Sequence, residues 1–292
     1  QKLIEESPCP VATPELREQL ASIALGAARA VGYTNAGTIE CLLDADGNAY
    51  FLEMNTRVQV EHTVTEMVTG IDIVAEQLWI ASGRPLSFAQ EDVELRGHAI
   101  EVRINAEDPR ADFRPASGTI TTWIEPGGIG VRVDSGVAQG SVVSPYYDTM
   151  LAKLIVHART REDACRRLLR ALDEFTVDGI ETLIDFHKVA IGSAEFAAMG
   201  SCRDLVADPA GALPDALTGH TVVQVGAATD ATSGLPLVGH HRIGELDGKQ
   251  VQVTVFDREL GPPLPPPIRD RHASGGASDG SVTAPIPGNV LH

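Results

Sequence analysis

Apolar residues at Leu16, Leu20, Ile23, Ala24 and Ala27 recur at helical spacing between Thr13 and about Ala30, and Gly32 follows as a stop. Thr13-Pro14 supplies a cap and a proline at the first helical position, so the spacing predicts a packed helix. Two strand-like runs come next, Thr38–Leu43 and Ala49–Asn55, around Asp46-Gly47, the signal of a two-residue hairpin turn. A helical region follows the polar segment Thr56–Thr63. A second helix is expected over Asp72–Ser82, with Asp72 as cap, Ile73, Val74 and Leu78 as apolar positions, and Gly83 and Pro85 beyond its end. After Gly97 the period changes to two. In His98–Asn105, Ile100, Val102 and Ile104 alternate with Glu101, Arg103 and Asn105. Further strands are expected at Thr119–Ile124, Val131–Asp134 and Ala152–Ala158. A helix from Arg161 to Phe175 carries Thr160 three residues before Asp163, a capping-box pattern. Up to about residue 212 the pattern is mixed α and β. From Gly219 it shifts to Thr221–Val225 and a second hairpin, Ile243–Leu246 with Gln250–Phe256, around Asp247-Gly248. The proline run 261–267 and the Gly/Ser stretch 274–281 then read as a stiff segment joined to a flexible tether.

Composition narrows the class. The 292 residues allow one large domain or two smaller ones, and 43% apolar with 22% charged residues is ordinary for a globular protein. No apolar run reaches the roughly 18 residues of a membrane-spanning helix. The 40 acidic and 23 basic side chains give a net charge of -17, which argues against nucleic acid as a partner and requires a local basic pocket for any anionic substrate. Four scattered cysteines, Cys9, Cys41, Cys165 and Cys202, have neither zinc-site nor disulfide-framework spacing and read as reduced thiols of a cytoplasmic protein. The chain starts at Gln1 without a signal segment and stops as an apolar pattern resumes at Asn289–His292. It is expected to be a piece of a longer protein, cut at both ends.

The first hairpin holds candidate chemistry. A two-residue Asp46-Gly47 turn pairs Ala45 with Asn48, so Glu40 falls opposite Glu53 and Thr38 opposite Asn55. Directly opposed carboxylates repel. A divalent cation between them, with Asn55 as a further oxygen ligand, resolves the conflict; alternatively both glutamates face solvent, or the turn is longer and the register slips by one. Glu53 to His62 is too polar for a core. Arg57 offers a planar fork for a carboxylate, bicarbonate or phosphate, and Glu61 is placed to act as a general base. The plain alternative is a solvated loop with surface ion pairs.

The stretch Phe51-Leu52-Glu53-Met54-Asn55-Thr56-Arg57-Val58-Gln59-Val60-Glu61-His62, with Val64–Gly70 after it, resembles the signature of biotin carboxylase, an ATP-grasp ligase. Glu101–Asp108, Pro126–Arg132 and Tyr146–Leu154 agree with it in order. The resemblance covers about residues 1–212, the later half of such an enzyme. It implies an α+β fold: residues 1–85 as the C-terminal half of an ATP-grasp domain and 86–212 as the biotin carboxylase C-terminal domain. A small β segment would occupy 213–256 and a linker 257–281. Val282–Val290 resembles the start of a biotin carboxyl carrier (biotinyl) domain at 282–292, whose biotinylated lysine is not in this chain.

Carried over residue by residue, the family's metal-binding glutamates fall on Glu40 and Glu53, with Asn55 beside them, binding Mg²⁺ or Mn²⁺ with ATP. Arg57, Gln59 and the backbone of Val60 match positions that hold bicarbonate, and Glu61 matches the base that deprotonates it. Lys2 resembles the lysine that meets the ATP γ-phosphate and bicarbonate. Arg103 matches the arginine credited with stabilising the enolate of biotin, and Leu42 and Leu52 are expected to line the adenine pocket. The implied reaction forms carboxyphosphate and then carboxylates carrier-bound biotin. The architecture resembles the α subunit of acetyl- or propionyl-CoA carboxylase, as used in fatty acid biosynthesis. The partners this implies are a carrier domain, a carboxyltransferase subunit, and a second copy of the chain in a homodimer. The glycine-rich phosphate loop of the family is missing from these residues, so the fragment alone is expected to turn over poorly. The competing expectations are another ATP-grasp ligase, such as a carbamoyl-phosphate-forming enzyme, and a non-catalytic dimerisation or scaffold fragment.

Overall fold

A four-stranded antiparallel sheet carries the first part of the chain. The computed structural model describes residues 2–44, 46–198, 237–246 and 249–258, and the chain divides into two units, Gln1–Leu213 and Pro214–His292. In the first unit the sheet runs β1 (Ile4–Ser7), β4 (His98–Asn105), the strand Met150–Ala158 and the strand Val131–Ser135, in that spatial order. Ahead of β4 lie α1 (Pro14–Ala30), the hairpin β2 (Thr38–Leu43) and β3 (Ala49–Asn55), α2 (His62–Thr69) and α3 (Ile73–Ala81). After the long strand come α4 (Arg161–Glu174) and α5 (Ile184–Gly192).

The alternation in β4 sorts two different layers. Ile100, Val102 and Ile104 join Leu154 and Val156 beneath Ala164, Leu168, Ala171 and Leu172 of α4. The opposite face holds Ala99 and Ile155, covered by Val64 and Val68 of α2. Glu101 lies on that second face and has no exposed surface. The polar positions of β4 are therefore not a wet side, as a simple alternation would suggest; they sit under a helix, and charges there need partners. Thr160 caps α4 by accepting from the Asp163 N–H at 3.1 Å, as the sequence pattern requires. Asp72 likewise caps α3 through the Ala75 N–H at 2.8 Å.

Several expectations need correction. The turn at Asp46-Gly47 is not a two-residue turn: Asp44 N–H bonds to Asn48 O at 3.1 Å, and Leu43 pairs with Ala49, Leu42 with Tyr50 and Cys41 with Phe51. A bulge at Leu52 then restores the register, so Glu40 faces Glu53, Ile39 faces Met54 and Thr38 faces Asn55. The extra turn residue is cancelled by an extra strand residue. The expected strand Thr119–Ile124 is two strands, Gly118–Thr119 against Val142–Val143 and Thr122–Ile124 against Thr176–Asp178. The break falls at Ile120, which is fully buried in a separate small cluster with Ala106 and Leu151. The helix after the polar segment starts at His62, inside that segment, because the Glu61 peptide already carries its first turn. Helix α1 forms over the expected residues, yet none of its apolar positions Leu16, Leu20, Ile23, Ala24 and Ala27 is fully buried.

In the second unit, Leu237–Leu246 pairs with Lys249–Arg258 in an antiparallel hairpin closed by Leu246 opposite Lys249. It is longer at both ends than the apolar pattern indicates. Thr221–Val225, the proline and Gly/Ser segments, Cys202 and the carrier-like 282–292 lie outside the described residues. Among the described residues no helix is long and apolar enough to cross a membrane.

Two measurements test this account. Leu168, fully buried in the main core, should lose about 2–5 kcal/mol on replacement by Ala, read from urea unfolding. Glu101 has its carboxyl raised from 4.5 to about 7, foremost by burial and further by Glu5 opposite it in the ladder, against the pull of Thr63, Lys153 and Arg103. Between those two values the folded chain holds a proton that the unfolded chain has released, so stability falls as pH rises through the window, by about 3 kcal/mol at most. Glu101→Gln should flatten that fall between about pH 4.5 and pH 7.

Candidate active site

The site forms where the chain enters β1, where the β2–β3 hairpin ends and where α2 begins. Leu3, buried, accepts the Arg103 N–H through its carbonyl at 3.1 Å, which fixes Lys2 at the head of β1. Lys2 Nζ then reaches two carboxylates, Glu40 Oε1 at 2.9 Å and Glu61 Oε1 at 2.8 Å. The other oxygen of Glu61 accepts from Arg103 Nη2 at 3.0 Å. Arg103 is itself oriented by Glu5, whose Oε1 takes Nε at 2.8 Å and Nη2 at 2.6 Å. One carboxylate is thus held between two cations, Lys2 from just before β1 and Arg103 from β4.

These neighbours set the charge states. Burial pushes the Glu61 carboxyl up, but the hydrogen bonds from Lys2 and from its own backbone N–H, with the charges of Lys2 and Arg103, hold it below the ordinary carboxylate range. Glu40 is lowered by its hydrogen bonds from Lys2 and Gln59. The Lys2 ammonium, despite a desolvation cost, stands above its usual value because of Glu61 and Glu40. Glu5 goes the other way: burial outweighs Arg103 and raises it.

The opposed glutamates meet through Asn55, whose Nδ2 donates to Glu40 Oε1 and Glu53 Oε1, each at 3.0 Å. Gln59 Nε2 donates to the same Glu40 oxygen. Among the described residues, Oε2 of neither glutamate has a hydrogen-bond partner, and no three His, Cys, Asp or Glu side chains converge as a metal centre, here or elsewhere. Two carboxylates facing each other with a free oxygen apiece suit a hard divalent cation whose remaining ligands are phosphate and water; Asn55, expected as a further oxygen ligand, instead turns its amide nitrogen to the pair and its Oδ1 to Arg57, and would serve as a ligand only with the amide turned over. Repulsion between the pair is relieved here by Lys2 and Asn55.

Arg57, Gln59 and Glu61 line a cavity of about 240 Å³ together with Gly37 and Thr38. Arg57 turns its Nη1 to Val58 O at 3.1 Å and its Nη2 to Asn55 Oδ1 at 3.3 Å, so its fork is engaged by its own loop. The Val60 N–H meets no acceptor among the described residues. Leu42 and Leu52 are both exposed, Leu52 being the bulge residue. A larger hollow of about 580 Å³ lies on α4, but its Arg166 and Arg170 are paired with Glu162, Asp163 and Glu174, and it lacks the carboxylate pair.

Sequence reasoning misses the supports of this site. In the sequence Glu5 carries no signal of its own, and the pairing that brings it to Arg103 depends on β1, whose polar residues do not read as a strand. His187, wholly buried, donates from Nε2 to Arg103 O at 2.8 Å, and burial lowers its imidazole to about 4. Lys153 donates to Val60 O at 2.9 Å. Arg132 links Glu66 of α2 to Asp134 at 2.8 and 2.7 Å. All of these except the Arg132–Asp134 pair join residues at separations that no local pattern encodes.

Comparison with known proteins agrees with the motifs. Residues 1–89 match the family model of the carbamoyl-phosphate synthase L chain ATP binding domain, and residues 101–206 match that of the biotin carboxylase C-terminal domain. A pyruvate carboxylase subunit of Methanothermobacter thermautotrophicus is 55% identical over 196 residues, covering 67% of this chain and 40% of its own length. Biotin carboxylase 1 of Bacillus subtilis is 55% identical over 188 residues, 64% of this chain and 42% of its own. The chain spans about two fifths of the length of these curated relatives. Among solved structures, the biotin carboxylase subunit of pyruvate carboxylase superposes with a TM-score of 0.69 at 46% identity, over 73% of this chain and 47% of that one. The biotin carboxylase domain dimer of Hydrogenobacter thermophilus 2-oxoglutarate carboxylase, in complex with MgADP, ADP and bicarbonate, gives 0.69 at 45% identity, over 72% and 46%. With both halves of the motif-bearing region matched in order, and a biotin carboxylase model rather than a carbamoyl-phosphate one over the second, the chain belongs to the biotin carboxylase family.

Proposed function

We propose that this chain contributes to ATP-dependent carboxylation of biotin by bicarbonate through carboxyphosphate. The observation that carries the reading is Glu61, held between Lys2 and Arg103 and lining a cavity with Arg57 and Gln59, the last of which donates to Glu40 of the opposed pair. In this reading Arg57, Gln59, the Val60 N–H and Lys2 hold bicarbonate, and Glu61 takes its proton. Lys2 also meets the γ-phosphate, Arg103 stabilises charge developing on biotin, and Leu42 and Leu52 line the adenine site. Glu40, Glu53 and Asn55 would hold Mg²⁺ or Mn²⁺, which when bound neutralises phosphate charge during phosphoryl transfer.

The geometry gives Glu61 a way to change its strength as a base. With both cations on it, the carboxylate is a poor proton acceptor. An anion entering the cavity competes for Lys2 and Arg103, and each contact it takes leaves Glu61 less neutralised and more basic. Binding of the substrate therefore raises the driving force for its own deprotonation.

At the finer level we place 1–85 and 86–212 in the ATP-grasp and C-terminal domains, 213–256 as a small β segment, 257–281 as a linker and 282–292 as the start of a biotinyl domain. The partners are a carrier domain, a second copy of the chain and a carboxyltransferase subunit, in an acetyl- or propionyl-CoA carboxylase of the cytoplasm. Supports for this are the motif order, the carrier-like Val282–Val290 stretch and the dimer seen for the Hydrogenobacter relative.

The test is bicarbonate-dependent ADP release by an enzyme carrying this segment at the length of its curated relatives. Glu61→Gln should lower that rate by about 10²–10⁴, the usual contribution of a positioned base. An unchanged rate removes Glu61 from the chemistry, and no bicarbonate-dependent release in the parent enzyme would favour a scaffold. Glu40→Gln and Glu53→Gln should each raise the Mg²⁺ or Mn²⁺ concentration needed for half-maximal release by at least about tenfold.

A further inference from the structure

Lys153 is a buried cation, with 9% of its surface exposed. It stands on the long strand Met150–Ala158, opposite Arg103 on one side and Asp134 on the other. An ion pair with Asp134 would be the simple account of such a lysine. The distances point elsewhere. Asp134 already receives Arg132 through both oxygens, at 2.8 and 2.7 Å, whereas Lys153 lies 3.7 Å away. The ammonium instead donates to Val60 O at 2.9 Å, with His62 Nε2 at 3.3 Å as the second neighbour.

Val60 O and the Glu61 N–H belong to one planar peptide unit. A cation on that oxygen polarises the peptide and strengthens its N–H as a donor, and the Glu61 carboxylate draws on its own backbone N–H. The loop before α2 has little else to orient this peptide: the neighbouring bonds are His62 N–H to Gln59 O and Val64 N–H to Glu61 O, both at 3.3 Å.

We infer that Lys153 is a positioning residue for Glu61, clamping the Val60 carbonyl so that the Val60–Glu61 peptide presents the carboxylate to Lys2, Arg103 and the incoming anion. The inference rests on the reading of Glu61 as the base. The other charged groups around the two residues are Glu5 of β1, Glu40 of β2, Glu101 of β4, Asp134 and Arg132 of the edge strand, and His62 and Glu66 of α2. None of them donates to the Val60 carbonyl.

The sequence makes a direct test possible, because valine is followed by glutamate only at Val60-Glu61 and Val93-Glu94. In the 292-residue chain labelled with ¹³C′-valine and ¹⁵N-glutamate, a carbonyl-to-amide correlation spectrum holds two peaks. Glu94→Gln removes the second and so assigns both. Lys153→Met should displace the Val60–Glu61 peak and leave Val93–Glu94 in place, while Lys153→Arg, which keeps the cation, displaces it less. Titrated bicarbonate should shift the same peak in the unmutated chain, with apparent affinity at least about tenfold weaker in Lys153→Met, the worth of one charge-assisted hydrogen bond.

A Val60–Glu61 peak unmoved in a folded Lys153→Met chain overturns the inference, as does equal displacement in Met and Arg variants. If bicarbonate fails to move the peak in the unmutated chain, the proposed function fails at this site while the clamp itself stands. Should Lys153→Met not fold, the unmutated chain decides. An ammonium bonded to a carbonyl exchanges slowly, so with ¹⁵N-lysine added to the labelling it gives an NH₃⁺ signal coupled across the hydrogen bond to the labelled Val60 carbonyl carbon; absence of that coupling overturns the inference.

Discussion

Charges that leave water must find partners, and on the α2 face of the sheet that requirement organises everything near Glu61. Glu5, Glu101, Arg103, Lys153, Asp134 and Arg132 belong to the four strands of this sheet. Their bonds do not close within it. Arg103 gives one to Glu61, Lys153 to Val60 and Arg132 to Glu66, and Glu101 takes one from Thr63. The helix and the loop before it are therefore held by charge-assisted contacts beside a small apolar patch, Val64 and Val68 on Ala99 and Ile155. Removing one member of a buried pair strands the other, at about 3–5 kcal/mol. A loop of this polarity keeps a defined shape because the sheet would be left with unpaired charges without it.

The same arrangement shows how an acidic chain can gather anions. A net charge of -17 is a global property, and at physiological salt it is screened within about 8 Å. What an anion would meet at the cavity is local: Arg57 in its lining and, across the Glu61 carboxylate that also lines it, Lys2 and Arg103, with Glu5 taken up by Arg103 and Glu40 by Lys2.

Much of this is written in short-range pattern and some is not. The caps Thr13, Asp72 and Thr160 and the helices they start follow from local hydrogen-bonding rules, so they are legible. The opposition of Glu40 and Glu53 is legible for an incomplete reason, since a two-residue turn is too short and the Leu52 bulge makes up the difference. β1 is invisible because Glu5 and Glu6 face partners rather than solvent: Glu5 is bound by Arg103, and Glu6 by His98 and Arg161. A pattern rule reads polar residues as wet. The half-covered face of α1 escapes for the opposite reason, since periodicity shows which residues share a side and says nothing of how much lies there to cover it. Lys153 stands within a recognisable motif, but its meaning depends on a strand register that only the folded sheet supplies.

The two cations on Glu61 are anchored very differently. Arg103 is fastened at three points, by Leu3 O on its backbone N–H, by His187 on its carbonyl and by Glu5 on its guanidinium. Lys2 is a half-exposed side chain on a flexible stem, met only at its tip. The pair behaves as a fixed post and a swinging gate. In the function proposed above, an anion competing for both cations would draw off the half-exposed lysine before the anchored arginine, which would keep the carboxylate aimed.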